Sequence, residues 1–231
     1  MGRRFDVSTM LTTTSAANAG PSARSCQGES YSFSFLTGAL YLTESLAVAD
    51  VARKCADWNR VVSRVSEENL LKQRKGASLI RLLREIRYRL QQLNQDELEF
   101  LCDAGSRDQR QLLFVAICRR FRFIREFVVE VVRPKAMKLD VQLYPADFAR
   151  FFDQKGAESS EVENLTPKSM AKVKQVIIRM LAEAGLLDST DSQRITRPVP
   201  SKALTRLIAR TDPQTLRCLL LSDAEIRQTA I

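Results

Sequence analysis

Histidine is absent from the 231 residues, and that absence narrows the chemistry more than any residue present. Without an imidazole there is no Ser-His-Asp or Cys-His nucleophile system, no His-ligated zinc and no ordinary neutral-pH general base. Catalysis by lysine or carboxylate is not excluded on this ground. The chain nevertheless has no Walker loop, no GxGxxG run and no paired carboxylates at motif spacing. The expectation is a protein that is not an enzyme and takes no cofactor and no metal. The five cysteines, Cys26, Cys55, Cys102, Cys118 and Cys218, are odd in number, far apart and never in a CxxC pair. That pattern argues against both a zinc site and a disulfide framework. Cys118 lies in the apolar run Leu112 to Cys118 and reads as a core thiol in a reducing compartment.

Long hydrophobic runs are missing too. No stretch approaches the roughly 18–20 apolar residues of a membrane helix, and Arg119-Arg120 close the run that starts at Leu112. Arg3-Arg4 resembles a twin-arginine start, but only Met10-Leu11 precede Thr12-Thr13-Thr14. Export is not expected, and the reading is a cytoplasmic protein with no membrane partner. Trp58 is the one tryptophan, and glycine and proline number only eight and seven. Helices are therefore expected rather than a turn-rich sheet.

What the chain does have is apolar residues and positive charge. At 45% hydrophobic it can bury a real core, and its length suits two small domains. The formal charge of +9 makes a polyanion the natural partner.

Patterning divides the chain into four parts. Residues 1–30 carry no apolar periodicity and read as a disordered tail. Residues 31–138 read as an N-terminal helical domain. It opens on a short strand at Tyr31-Ser32-Phe33-Ser34-Phe35 and has a leucine stripe at Leu79, Leu82, Leu83, Ile86, Leu90 and Leu93. Asp57 suits a helix cap, Asn94 with Glu97 and Ser106 with Gln109 have capping-box spacing, and Pro134 marks a helix end. In residues 139–200, Phe148, Phe151 and Phe152 follow Pro145, and a short helix comes next. A long helix then starts at Thr166-Pro167 and stops at Gly185. Leu186-Leu187-Asp188 and Arg194-Ile195-Thr196-Arg197 flank a polar loop like the arms of a β-hairpin. Residues 201–231 hold C-terminal helices starting at Ser201, Asp212-Pro213 and Ser222. The predicted fold is mainly α: a helical domain, then a winged helix-turn-helix-like domain with a short β-hairpin, then C-terminal helices.

Three surfaces are candidates for nucleic acid. On the long helix, Lys168, Lys172, Gln175 and Arg179 share a narrow arc opposite Met170, Val173, Ile177, Met180, Leu181 and Ala184. Lys and Arg reach phosphate or guanine, and Gln pairs bidentately with adenine. Arg194 and Arg197 would flank this face on the wing. A merely solvated face also produces such a stripe, but acids interleave on most solvated faces, and none stands between Lys168 and Arg179. The second surface, Cys118 to Phe127, alternates Arg119, Arg122 and Arg125 with aromatics. At helical spacing its Phe121, Ile124, Val128 and Val131 form a core stripe, and Arg122 has Glu126 four residues on. Core plus solvated face is the stronger account there. The third gathers Lys72, Arg74, Lys75, Arg81, Arg84 and Arg87, with Glu85 the sole acid among them. Extending a DNA track and meeting an acidic partner fit it equally.

These segments resemble the BrxA family, the small component of BREX phage-defence systems. The stretches that carry the resemblance are Phe35-Leu36-Thr37-Gly38-Ala39-Leu40-Tyr41 with Glu44-Ser45, Glu68-Asn69-Leu70-Leu71, Arg89-Leu90, Cys118 to Phe127, and Met180 to Leu187. The likeness covers about Tyr31 to Val199. It implies a non-enzymatic part of a bacterial system that methylates host DNA and blocks phage replication, with double-stranded DNA bound without marked sequence preference. The family has been likened to the RNA-binding factor NusB, so the resemblance also allows RNA, and other BREX subunits, as partners. It assigns no role to any single residue.

Overall fold

The computed structural model describes residues 30–55, 57–72 and 77–229. The tail expected over residues 1–30 lies outside these apart from Ser30, as do Arg74 and Lys75. A 3-10 turn, Ser34–Thr37, leads into α1 (Leu42–Ala52), α2 (Trp58–Glu67), α3 (Ala77–Leu90), α4 (Gln95–Asp103) and α5 (Ser106–Arg120). Helix α6 (Arg122–Glu126), a π-helical stretch (Phe127–Val132) and α7 (Arg133–Met137) run on in helical backbone. Then come α8 (Pro145–Glu158), α9 (Ser160–Glu163) and α10 (Pro167–Glu183). Helix α11 (Lys202–Thr211), a second 3-10 stretch (Pro213–Leu219) and α12 (Asp223–Thr229) close the chain.

Local chemistry sets most of these boundaries. The carboxylate of Asp57 accepts from the Asn59 amide, and the Asn94–Glu97 capping box is complete. Thr166 caps α10 through the Ser169 amide with Pro167 in the first turn, and Gly185 leaves the helix at φ +80. Ser201 accepts from Leu204, and Ser222 and Glu225 cap each other's amides.

Four expectations fail, each for a physical reason. Tyr31 to Phe35 is not a strand, because no extended neighbour lies alongside. Its alternating rings instead enter an aromatic cluster, Tyr31 and Phe33 against Phe123, and Phe35 against Phe121. The Ser106–Gln109 capping box does not form. Gly105 takes the cap position, and Gln109 donates to the Leu101 carbonyl. Pro134 does not end its helix but sits in the first turn of α7, straight after the π turn. That wider turn is compatible with a residue that has no amide to donate. Finally, the winged helix with its β-hairpin is not supported, since no strand forms among the described residues. Residues 141–143, 186–188 and 193–196 meet only at the isolated bridges Gln142–Arg194 and Leu187–Ile195. The loop between the would-be arms is closed by side chains: Asp188 accepts from the amides of Ser189 and Arg194 and from the Ser192 hydroxyl.

One buried cluster of side chains runs from Tyr31 to Ile226, across the expected junctions near residues 138 and 200. Phe123 and Phe127 pack against Phe148, Phe151 and Phe152 of α8, and Arg133 donates to the Leu221 carbonyl. The helix junction also contains a buried charge cluster. The Lys155 ammonium, 4% exposed, lies 3.0 Å from carboxylate oxygens of both Glu126 and Glu130, and Tyr31 and Arg122 donate to the same Glu126. Burial alone would raise the Glu126 pKa, but these hydrogen bonds outweigh it and hold the carboxyl below its ordinary 4.5.

Lys155→Met should therefore cost about 3 kcal/mol at neutral pH, because it leaves Glu126 charged with one partner gone. Glu126 has a depressed folded pKa, so its contribution is complete above pH 4.5 and is lost as pH falls through the lower folded value. Urea unfolding should show the gap between variant and wild type open at pH 7 and narrowing below about pH 4. A gap unchanged between those pH values would refute the role given to Glu126.

Candidate nucleic-acid interface

Helix α10 separates its two faces as its sequence indicates. Val173, Val176, Ile177, Ile178, Met180 and Leu181 are buried, while Lys168, Lys172, Gln175 and Arg179 are all exposed on one side. Lys174, off this arc, lies over the Phe148 ring at 5.3 Å and belongs to the packing with α8. Within the exposed face, the Lys172 ammonium donates to Gln175 Oε1 at 3.1 Å. The Arg179 guanidinium pairs with Glu183 Oε1 at 2.8 Å, in an exposed i,i+4 geometry. Such pairs are worth at most about 1 kcal/mol, so an incoming phosphate can displace the carboxylate. Glu183 is held independently, since its other oxygen accepts from the Leu40 amide at 2.6 Å.

The two arginines expected beside this face part company. Arg197 reaches the C-terminal end of α10, where it helps line a cleft of about 420 Å³ with Ala182, Glu183 and Gly185. Its guanidinium is engaged there by Glu225 and the Leu220 carbonyl, so it ties the loop to α12. Arg194 is exposed, but its bridge to Gln142 carries it ahead of α8. The arrangement thus brings together Lys168, Lys172, Gln175 and Arg179, with Arg197 at their end and not free.

The second and third surfaces fare differently. Arg119 grips Glu97 through both terminal nitrogens at 2.7 and 2.8 Å and also donates to the Gln92 carbonyl. Glu97 is fully buried. Arg122 is equally committed, to Glu126 and over the Tyr31 ring at 4.8 Å. That pair is built into the buried charge cluster rather than being an ordinary surface pair. Lys72, Arg81 and Arg84 are exposed, whereas Arg87 is half-buried and donates to Asn59. Among the described residues, no group of His, Cys, Asp and Glu could hold a metal ion. No helix there is long and apolar enough to cross a membrane.

Sequence reasoning passed over Arg107 and Arg110, two exposed cations in the first turns of α5. Arg110 lines the cleft with Arg197, and also a second one, about 450 Å³, formed by residues 39–44, Arg179 and Glu183. Their spacing of three ahead of the apolar run Leu112 to Cys118 was the available signal. It was masked by reading that helix for its core.

A profile of the BrxA family matches residues 29–212. A BREX protein BrxA of Escherichia coli O9:H4 (strain HS) is 24% identical over 154 residues, 67% of this chain and 72% of that protein. A BREX protein BrxA of Bacillus cereus (strain H3081.97) is 34% identical over 91 residues, 39% of this chain and 46% of that protein. The crystal structure of an uncharacterized protein from Magnetospirillum magneticum has the same fold. Its TM-score is 0.73 at 19% identity, over 83% of this chain and 98% of that one.

Arg119→Ala should lower stability by about 3 kcal/mol, because Glu97 is left charged and buried without its partner. Lys168→Ala, on the solvated α10 face, should stay within about 0.5 kcal/mol of wild type. Chemical denaturation of the two variants separates a structural arginine from a surface lysine. Equal effects would contradict that division.

Proposed function

The chain belongs to the BrxA family, and from that premise we propose that it is a non-enzymatic, double-stranded DNA-binding component of a BREX phage-defence system. Both relatives are named as BREX proteins, which supports the system. The DNA reading is carried by the exposed, acid-free arc of Lys168, Lys172, Gln175 and Arg179 on α10. Three cations and an amide on one rigid helix meet phosphates at fixed spacing, and affinity arises as condensed counterions leave the duplex. Arg179 and Gln175 have the fork geometry to read a base edge bidentately, and each is already engaged on the helix, Arg179 by Glu183 and Gln175 by Lys172. Binding is therefore largely independent of sequence. The protein acts in the cytoplasm, where its duplex is.

A NusB-like RNA reading would use the second and third basic surfaces, residues 72–125. It loses two of its cations, Arg119 and Arg122, to internal ion pairs. The reading as an adaptor for other BREX subunits has no comparable residue-level support.

The experiment compares a labelled short duplex, single-stranded DNA and RNA by fluorescence anisotropy across a salt series. Duplex should bind tightest, and with Lys168, Lys172 and Arg179 engaged, log affinity should fall with log salt at a slope of roughly −3. Reversing Lys172 and Arg179 to Glu should weaken duplex binding at least tenfold, about 1.4 kcal/mol, with an unchanged melting temperature. Affinity that ignores salt, or survives the reversal, would overturn the assignment of this face. A preference for RNA would reinstate the N-terminal surface.

A further inference from the structure

Helix α11 carries a second basic stripe. Lys202, Arg206 and Arg210 recur every fourth residue, are exposed, and share the helix with no acid at all, while Leu204 and Ile208 are buried on the other side. None of the three side chains has an ionic or hydrogen-bonding partner among the described residues. The cations just past α1 and on α2 contrast with this: Arg53 and Lys54 pair with Asp50, and Arg64 with Glu68. On those helices positive charge is cancelled locally, and on α11 it is left open to solvent.

The position of α11 connects this stripe to α10. The Ser201 amide, one residue before Lys202, donates to Asp108 Oδ1 at 3.2 Å. Asp108 lies between Arg107 and Arg110 in the first turns of α5, and Arg110 borders the cleft that contains Arg179. The C-terminal end of the α10 face and the N-terminal end of the α11 stripe therefore converge on the start of α5. Arg107 and Arg110 are exposed at that junction, again without ionic partners among the described residues. The stripes extend about 16 Å from Lys168 to Arg179 and about 12 Å from Lys202 to Arg210 at helical rise.

We infer that α11 continues the duplex-binding surface: Lys202, Arg206 and Arg210 extend the α10 face, by way of Arg110 and Arg107, into one track that holds a single duplex. The inference rests on the DNA reading above and adds a second helix to it. A track built of two helix stripes and their junction is longer than either stripe. A duplex of eight base pairs, about 27 Å at two charges per 3.4 Å, fills only part of it, whereas twenty base pairs cover it all.

The test uses the full chain, an eight-base-pair hairpin and a twenty-base-pair duplex, each followed by anisotropy across a salt series. Three variants are compared: Lys202→Glu/Arg206→Glu/Arg210→Glu, the same positions changed to Gln, and Lys172→Glu/Arg179→Glu. Circular dichroism and melting temperature are read for each. The glutamate triple should weaken the long duplex at least tenfold and the hairpin far less. The glutamine triple, which keeps the helix uncharged there if the glutamate triple misfolds, should flatten the long-duplex salt slope by roughly 3. If the α10 variant loses binding on both ligands while both α11 variants bind as wild type, the second helix is refuted and the DNA reading stands. If the α11 variants alone lose binding, equally on both lengths, a single continuous track is refuted. If wild type binds neither duplex, the DNA reading fails and this inference with it.

Discussion

One guanidinium, taken almost wholly out of water, organises the junction on which the rest of the fold depends. Arg89 is 1% exposed; its Nε donates to Glu85 at 2.9 Å and its Nη1 to the Ala39 carbonyl at 2.7 Å, and the cation lies 5.5 Å from the centre of the Tyr41 ring. Burial pulls the Arg89 pKa down while Glu85 pushes it back up, with the balance below the ordinary arginine value. A charge so placed is tolerated only because its partners are fixed, and fixing them shapes the chain. Tyr41 adopts a left-handed backbone to present its ring, and that ring leaves no room for a side chain at position 38, where an added Cβ would collide with Cε2. The next amide, Leu40, is then free to reach Glu183 on α10. The same interaction therefore holds α3, the 38–41 turn and α10 in register.

The junction also draws together segments that are scattered in sequence. Residues 35–41, Arg89, Phe121 to Phe127 and Glu183 meet in space, through the Arg89 and Glu183 bonds and the Phe35–Phe121 ring contact. They are packing residues, and the exposed cations of α10 and α11 lie outside all of them.

How much could be read beforehand depended on sequence distance. Caps at Asp57, Asn94–Glu97, Thr166–Pro167, Ser201 and Ser222–Glu225 were legible because donor and acceptor lie within three residues. The burial of Phe148, Phe151 and Phe152, and the exposure of Lys168, Lys172, Gln175 and Arg179, followed from helical period alone. Pairings over longer distances were not legible. Nothing local says that Arg119 will be taken by Glu97, Lys155 by Glu126, or Arg197 by Glu225. The strand at Tyr31 and the hairpin around Asp188 failed for a related reason, since period and turn residues are local but a ladder needs a neighbour. The α11 stripe is fully legible as three cations at a spacing of four.

The π turn at Phe127–Val132 has a consequence for length rather than composition. A π turn holds an extra residue, which advances the phase of everything after it by about 100° relative to an uninterrupted α-helix. Before the turn, Phe123 and Ile124 face the aromatic cluster. After it, Arg133 reaches Leu221 and Asp223, and Lys135 reaches Asp140 and Asp147. Phe127 and Glu130 are committed within these six residues, to the α8 rings and to Lys155. Deleting any one of the six would restore ideal α geometry and swing both cations after the turn off their partners, so this segment is constrained in its number of residues as well as in their identity.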